Sequence, residues 1–177
     1  DYFSDTTACV EKGPLTTARS QFMGVGNEYF GYVAGAVPAN TIIDRIDYAS
    51  DTSTALAKGN LNTGKGRGSS GVGNQSYGYF GGGSPGSGNT STVDRIDYAN
   101  DTTIATPKGP LSTTRQCTAG VSARTNALPI FGSTIAGFTN TVTRQHYPSS
   151  QRGYFGGGSE VADAADHFSI MDRIEYS

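Results

Sequence analysis

Apolar and polar residues alternate along Ile42–Tyr48: Ile42, Asp44, Ile46 and Tyr48 fall on one side, Ile43, Arg45 and Asp47 on the other. That period of two predicts a β-strand. Ser50-Asp51-Thr52 then predicts a turn, because an Asp side chain can bond its own backbone two residues on. Further strands are expected near Thr52–Ala57 and Thr102–Thr106, and over Arg19–Val25 and Arg115–Val121. Others fall at the Tyr-Phe-Gly-Gly-Gly segments, where strand glycines indicate close backbone approach or a bulge. No stretch places apolar residues at i, i+3, i+4 and i+7, and each glycine would cost a helix about 1 kcal/mol relative to Ala. The pattern predicts an all-β chain with many tight turns.

The strands recur. Asp44-Arg45-Ile46-Asp47-Tyr48 returns as Asp94-Arg95-Ile96-Asp97-Tyr98 and as Asp172-Arg173-Ile174-Glu175-Tyr176, and Asp1-Tyr2 is the tail of the same string. Ser4-Asp5-Thr6, Ser50-Asp51-Thr52 and Asn100-Asp101-Thr102 form a second set. A third is Lys12-Gly13-Pro14-Leu15, Lys58-Gly59-Asn60-Leu61 and Lys108-Gly109-Pro110-Leu111, with a base four positions after each Leu: Arg19, Lys65 and Arg115. Gly24-Val25-Gly26-Asn27 matches Gly71-Val72-Gly73-Asn74. Gly31-Tyr32-Val33-Ala34-Gly35 matches the segments beginning at Gly78 and Gly153.

The period is about 46 to 50 residues, and four strands in that length is the size of one propeller blade. Val142–Tyr147 keeps the Val, Arg and Tyr of Val93–Tyr98, which suggests a degenerate third unit followed by a truncated fourth. The expected blades are therefore 1–47, 48–97, 98–147 and 148–177, about 3.5 four-stranded repeats of a larger propeller or repeat array. One long repeat with an insertion between about 121 and 152 is the alternative.

Tyr-Phe-Gly-Gly, Val-Asp-Arg-Ile-Asp-Tyr and Gly-Pro-Leu-x-x-x-Arg together resemble the kelch repeat. That resemblance implies β-propeller blades. Kelch repeats usually carry a Trp about six residues after the Tyr; here Leu56 and Ile104 hold that neighbourhood, and the chain has Trp 0. The wording of the repeat looks more like the long repetitive structural proteins of tailed phages, which implies a virion or extracellular setting without enzymatic work.

Composition narrows the classes. Lys+Arg 13 against Asp+Glu 15 gives a net charge of −2, no footprint for nucleic acid or anionic lipid. No run of 18 apolar residues exists, so membrane insertion by a helix is not expected. The start lacks a signal-peptide pattern and an initiator Met, the expectation for a processed chain or a piece of a longer one. Cys9 and Cys117 are far apart and suggest neither a disulfide framework nor a zinc site.

Candidate chemistry is sparse. Arg45, Arg95 and Arg173 recur beside Asp47, Asp97 and Glu175; a ligand-binding ring of charges is weighed against an ion-pair ladder between blades, and the ladder is preferred. Tyr48, Tyr98 and Tyr176 close the same strings as structural repeat positions. Asp5, Asp51 and Asp101 could hold Ca²⁺, but turn-capping is preferred because Ca²⁺ wants six to eight oxygens. Gly82–Gly86 fits G-x-S-x-G without the helix a nucleophile elbow needs, and Gly66–Gly71 fits G-x-G-x-x-G without a βαβ unit. His146 and His167 lack metal-site spacing. Three Asn-x-Ser/Thr triplets, at Asn74, Asn89 and Asn100, are chance in so Ser/Thr-rich a chain.

A ligand surface, if there is one, is expected on the loops Ala36–Ile43, Gly83–Thr92 and Gly158–Asp172, with Tyr32, Tyr79, Asn89, Tyr154, Asp166 and His167 as its residues. The expected function is a non-catalytic structural or adhesive module, needing no cofactor or metal. Its expected partners are other protein subunits or further copies of the repeat, with host glycans as candidate ligands. A carbohydrate-active or oxidase-type propeller enzyme is the alternative from another class, and it would need a carboxylate pair or metal cluster. An intracellular kelch adaptor is the third reading.

Overall fold

The computed structural model describes residues 8–122, 152–159 and 167–176. Their strands are β1 (Met23–Gly26), β2 (Phe30–Ala34), β3 (Ile43–Asp47), β4 (Leu56–Ala57), β5 (Ser70–Gly73) and β6 (Tyr77–Gly81). They continue with β7 (Val93–Asp97), β8 (Thr106–Lys108), β9 (Ala119–Ser122), β10 (Arg152–Gly156) and β11 (Met171–Glu175). Three antiparallel sheets result, ordered β1-β2-β3-β4, β5-β6-β7-β8 and β11-β10-β9. The register repeats with them: Tyr32 lies opposite Arg45, Tyr79 opposite Arg95 and Tyr154 opposite Arg173.

Two groups of strands are shorter than the sequence pattern predicts. β1 and β9 begin after Arg19 and Arg115 because the backbone is not extended there. Gln21 and Cys117 both have φ +56° and Gly68, at the same place in the second unit, has φ +69°. A left-handed residue two positions before each inner strand ends any extended run from the base. The fourth strands start at Leu56 and Thr106, since the preceding residues are spent on the Asp turn. There Asp47 and Asp97 accept from the backbone N–H of Ala49 and Ala99, each at 2.9 Å, and hold a short 3₁₀ turn.

The third sheet cuts across the boundaries 98–147 and 148–177. β9 pairs directly with β10, Tyr154 facing Val121 and Gly156 facing Ala119. The sheet thus joins strands from either side of 123–151. Val142–Tyr147 lies outside the described residues.

The sheets meet through their first strands, β1 against β5 and β5 against β9. Glycine permits this approach. A Cβ on Gly71 would overlap the Gly24 carbonyl oxygen, and one on Gly120 would overlap that of Gly71. Farther out, apolar side chains fill the gaps. Met23, Tyr32, Ile43 and Leu61 pack against Phe80, Ile96 and Tyr98 between the first two sheets. Val72, Tyr79, Val93 and Leu111 pack against Phe155 and Tyr176 between the second and third. Each interface carries a stacked tyrosine pair: Tyr32 on Tyr98 at 4.9 Å between ring centroids, and Tyr79 on Tyr176 at 5.2 Å.

Candidate functional site

The bases four residues after each Leu turn inward. Arg19 Nη2 lies 3.0 Å from Asp44 Oδ2, Lys65 Nζ lies 3.8 Å from Asp94 Oδ2, and Arg115 Nη2 pairs with Asp172. The first Asp of each Asp-Arg-Ile string is therefore the carboxylate of an ion pair inside its own unit. A backbone N–H also donates to each: Thr16 at 3.1 Å, Thr63 at 3.2 Å and Ser112 at 3.1 Å. The bases reach the second strands or the loops beside them as well. Arg19 donates to the Val33 carbonyl at 3.1 Å, Arg115 to that of Phe155 at 3.3 Å, and Lys65 to the Thr92 carbonyl at 3.0 Å. The Lys65 ammonium divides itself among three oxygens, the third being the Thr92 hydroxyl at 2.6 Å. Burial pulls the Lys65 pKa down to about 8, against the pull of Asp94, and burial likewise pushes the Asp94 carboxyl up.

Asp101 forms the densest node. Its carboxylate accepts from Tyr32 Oη at 2.9 Å and Arg45 Nη1 at 2.9 Å, and lies 3.2 Å from Lys58 Nζ. Tyr32 and Arg45 of the first sheet and Lys58, just after β4, thus hold the turn that follows β7 of the second sheet. Burial, then the hydrogen bond to Asp101, raises the Tyr32 pKa well above its ordinary value. The Arg45 guanidinium also lies 4.3 Å from the Phe30 ring centroid, as Arg95 lies 4.4 Å from that of Tyr77. Among the described residues the Asp51 carboxylate, at the same turn position, pairs with Lys12 at 3.1 Å, both side chains about half exposed.

Among the described residues, the expected ligand-surface residues do not form one surface. Tyr32 is 0% exposed and Tyr79 is 1% exposed; both are interface rings between sheets and not loop residues facing solvent. Strand position decides this, because alternate residues of β2 and β6 point into the neighbouring sheet. Tyr154 on β10 is half-buried and His167 is exposed in a bridge to Ser159. Asn89 donates to the Ser159 carbonyl at 3.1 Å, joining the loop 83–92 to the third unit. Asp166 and Asp5 lie outside the described residues. Arg45 reaches across to Asp101 while Asp47 caps its own turn, and Glu175 holds Arg152 at 2.9 Å and Arg173 at 3.2 Å. The sequence reading left the inward bases without partners. Their fixed distance from Leu was the visible signal, but the partner lies in another strand.

Among the described residues no group of three or more His, Cys, Asp or Glu side chains is placed to hold a metal ion. Among the described residues, too, no helix is long and apolar enough to cross a membrane. A cleft of about 280 Å³ lies between the second and third sheets, lined among others by Tyr79, Lys108, Gly109, Pro110 and Arg173.

Neither the family models nor the curated proteins match this sequence. Among solved structures the chain is similar to YjhT, a β-propeller, with a TM-score of 0.61 over 84% of this chain at 10% identity. The fold is β-propeller-like. At that identity the likeness extends to the fold alone. The chain spans 37% of the length of that neighbour.

Proposed function

We propose that the chain is a non-catalytic structural or adhesive module of kelch-type blades, working in a virion or extracellular assembly. It contacts other protein subunits, and glycans are its candidate ligands. The observation that carries this reading is the Asp101 node: a carboxylate, a tyrosine and two bases, the groups an active site would use, are spent on fixing one repeat to the next. The inward pairs of Arg19, Lys65 and Arg115 support the same reading. Asn89 and Ser159 tie loops of neighbouring units together, which suits a loop-borne contact surface on a rigid frame.

A glycan array tests the adhesive half. The expected result is binding to a defined sugar that weakens on Asn89→Ala, and no binding to any glycan would remove adhesion and leave scaffolding. Turnover of a glycoside or alcohol by the purified chain would overturn the non-enzymatic reading.

A further inference from the structure

In the first unit both oxygens of the buried Asp44 have donors. Thr16 gives its hydroxyl to Asp44 Oδ1 at 2.7 Å and its backbone N–H to Oδ2 at 3.1 Å, and Arg19 Nη2 meets Oδ2 at 3.0 Å. Both charged side chains are buried, so their partners come from within the fold.

The second unit has the same two charges and a different supply. Lys65 and Asp94 are fully buried, yet Nζ stands 3.8 Å from Oδ2, beyond the reach of a hydrogen bond. Asp94 Oδ2 accepts from the Thr63 N–H at 3.2 Å, whereas Oδ1 is buried and has no hydrogen-bond donor among the described residues. The Asn62 N–H lies near enough to favour the charged carboxylate without bonding Oδ1.

Two changes in the repeat produce this. The residue directly after the Leu is Thr16 in the first unit and Asn62 in the second, and the Asn62 amide turns to the Thr63 hydroxyl at 3.4 Å. The hydroxyl that caps Asp44 Oδ1 therefore has no counterpart at Asp94. Lys65 also replaces Arg19, ending in one nitrogen where Arg ends in three, and fills less of the space beside the carboxylate. Two of its three N–H groups go to the Thr92 carbonyl at 3.0 Å and the Thr92 hydroxyl at 2.6 Å. The third is left for Asp94, across the 3.8 Å gap. The Thr92 hydroxyl accepts from Thr90 as well, at 3.1 Å, which leaves its own proton to give.

A spare donor and an orphaned acceptor, both dry and too far apart to join, meet the requirements of a bridging solvent molecule. We propose that the second unit binds a single buried water between Lys65 Nζ and Asp94 Oδ1. The water accepts from the third Lys65 N–H and donates to Asp94 Oδ1, with the Thr92 hydroxyl as a further donor. An anion is disfavoured because Asp94 already balances Lys65, and a cation because the ammonium stands in the way. The Lys65 backbone is clamped by the first unit, its carbonyl accepting from Ala36 N–H at 3.1 Å and its N–H donating to the Asn40 carbonyl at 3.0 Å. The water thus completes a polar connection from the loop Ala36–Ile43 through Lys65 to β7.

A crystal structure of the chain, together with magnetic relaxation dispersion of water around it in solution, tests the proposal. Solvent density is expected within hydrogen-bond distance of both Lys65 Nζ and Asp94 Oδ1. Asn62→Thr, which returns to Asp94 the hydroxyl that Thr16 gives Asp44, is expected to lose one long-lived internal water. Unchanged far-UV circular dichroism separates that loss from a lost fold, and if the variant does not fold the wild-type density decides alone. Three results would each overturn the proposal: Lys65 bonded directly to Asp94 without solvent between them, equal internal-water counts in wild type and folded Asn62→Thr, or anomalous scattering from soaked bromide at the site. None of them bears on the glycan and turnover tests.

Discussion

Replacing Asp101 by Ala deletes one carboxylate and strands three partners. Tyr32 Oη and Arg45 Nη1 each lose a 2.9 Å bond, and Lys58 Nζ loses its counter-ion. Hydrogen bonds to charged groups contribute about 1.5–3 kcal/mol each, but three on one carboxylate do not add. The site is also only partly dry, with Arg45 19% and Lys58 13% exposed at the side chain. The expected loss is therefore about 3 kcal/mol, the lower end of the range for breaking a buried pair. For a chain of this size that lowers Tm by about 6–12 °C. Asp51→Ala is the internal control. The same turn position is removed, but its Lys12 pair is 51% and 43% exposed, so about 0–1 kcal/mol is expected. Urea midpoints followed by tyrosine fluorescence and far-UV circular dichroism measure both variants. Equal losses within about 0.5 kcal/mol would refute the claim that the node between units, and not the turn itself, carries the stabilisation.

Gly71→Ala should destabilise by about 2 kcal/mol or more, because its methyl overlaps the Gly24 carbonyl; Gly24→Ala, where the nearest atom is Tyr32 O at 3.7 Å, should cost under about 1 kcal/mol in the same melts. Cys117→Gly relieves a φ of +56° and should raise stability by about 1 kcal/mol, and an unchanged or lower midpoint would show that no strain was stored there. Lys65 has a folded pKa lowered to about 8 from 10.5, so between those values the unfolded chain binds the extra proton and stability rises with pH. The stability of wild type minus that of Lys65→Arg, read from urea midpoints, should therefore climb across that window, and a flat difference would contradict the assignment.

The period, the strands leading to each Tyr and the turns were legible because they are local: alternation and Asx chemistry act within a few residues. The bases Arg19, Lys65 and Arg115 were visible as a spacing, but their carboxylates lie in β3, β7 and β11, and only the sheet register pairs them. Asp101 was weighed as a turn cap or a cation ligand. Its carboxylate meets Tyr32, Arg45 and Lys58, and the contact with Lys58 makes the Lys-Gly and Asp-Thr strings two halves of one joint. Tyr32 and Tyr79 were assigned outward because Tyr beside loops suits ligand stacking. What buries them is the neighbouring sheet, and a single strand's pattern does not contain its neighbour.

The third sheet tolerates an interruption that the first two lack. β1 passes to β2 through Asn27-Glu28-Tyr29 and β5 to β6 through Asn74-Gln75-Ser76, while β9 and β10 are separated by about thirty residues of sequence and still pair in the same register. By polymer arithmetic, lengthening a loop tenfold costs only about 2 kcal/mol of closure entropy. The closure entropy of this corner is therefore a small term beside the pairing of β9 with β10. Such a corner is the place where new sequence can be tried during evolution, or spliced in by design, while the joints between repeats stay as they are.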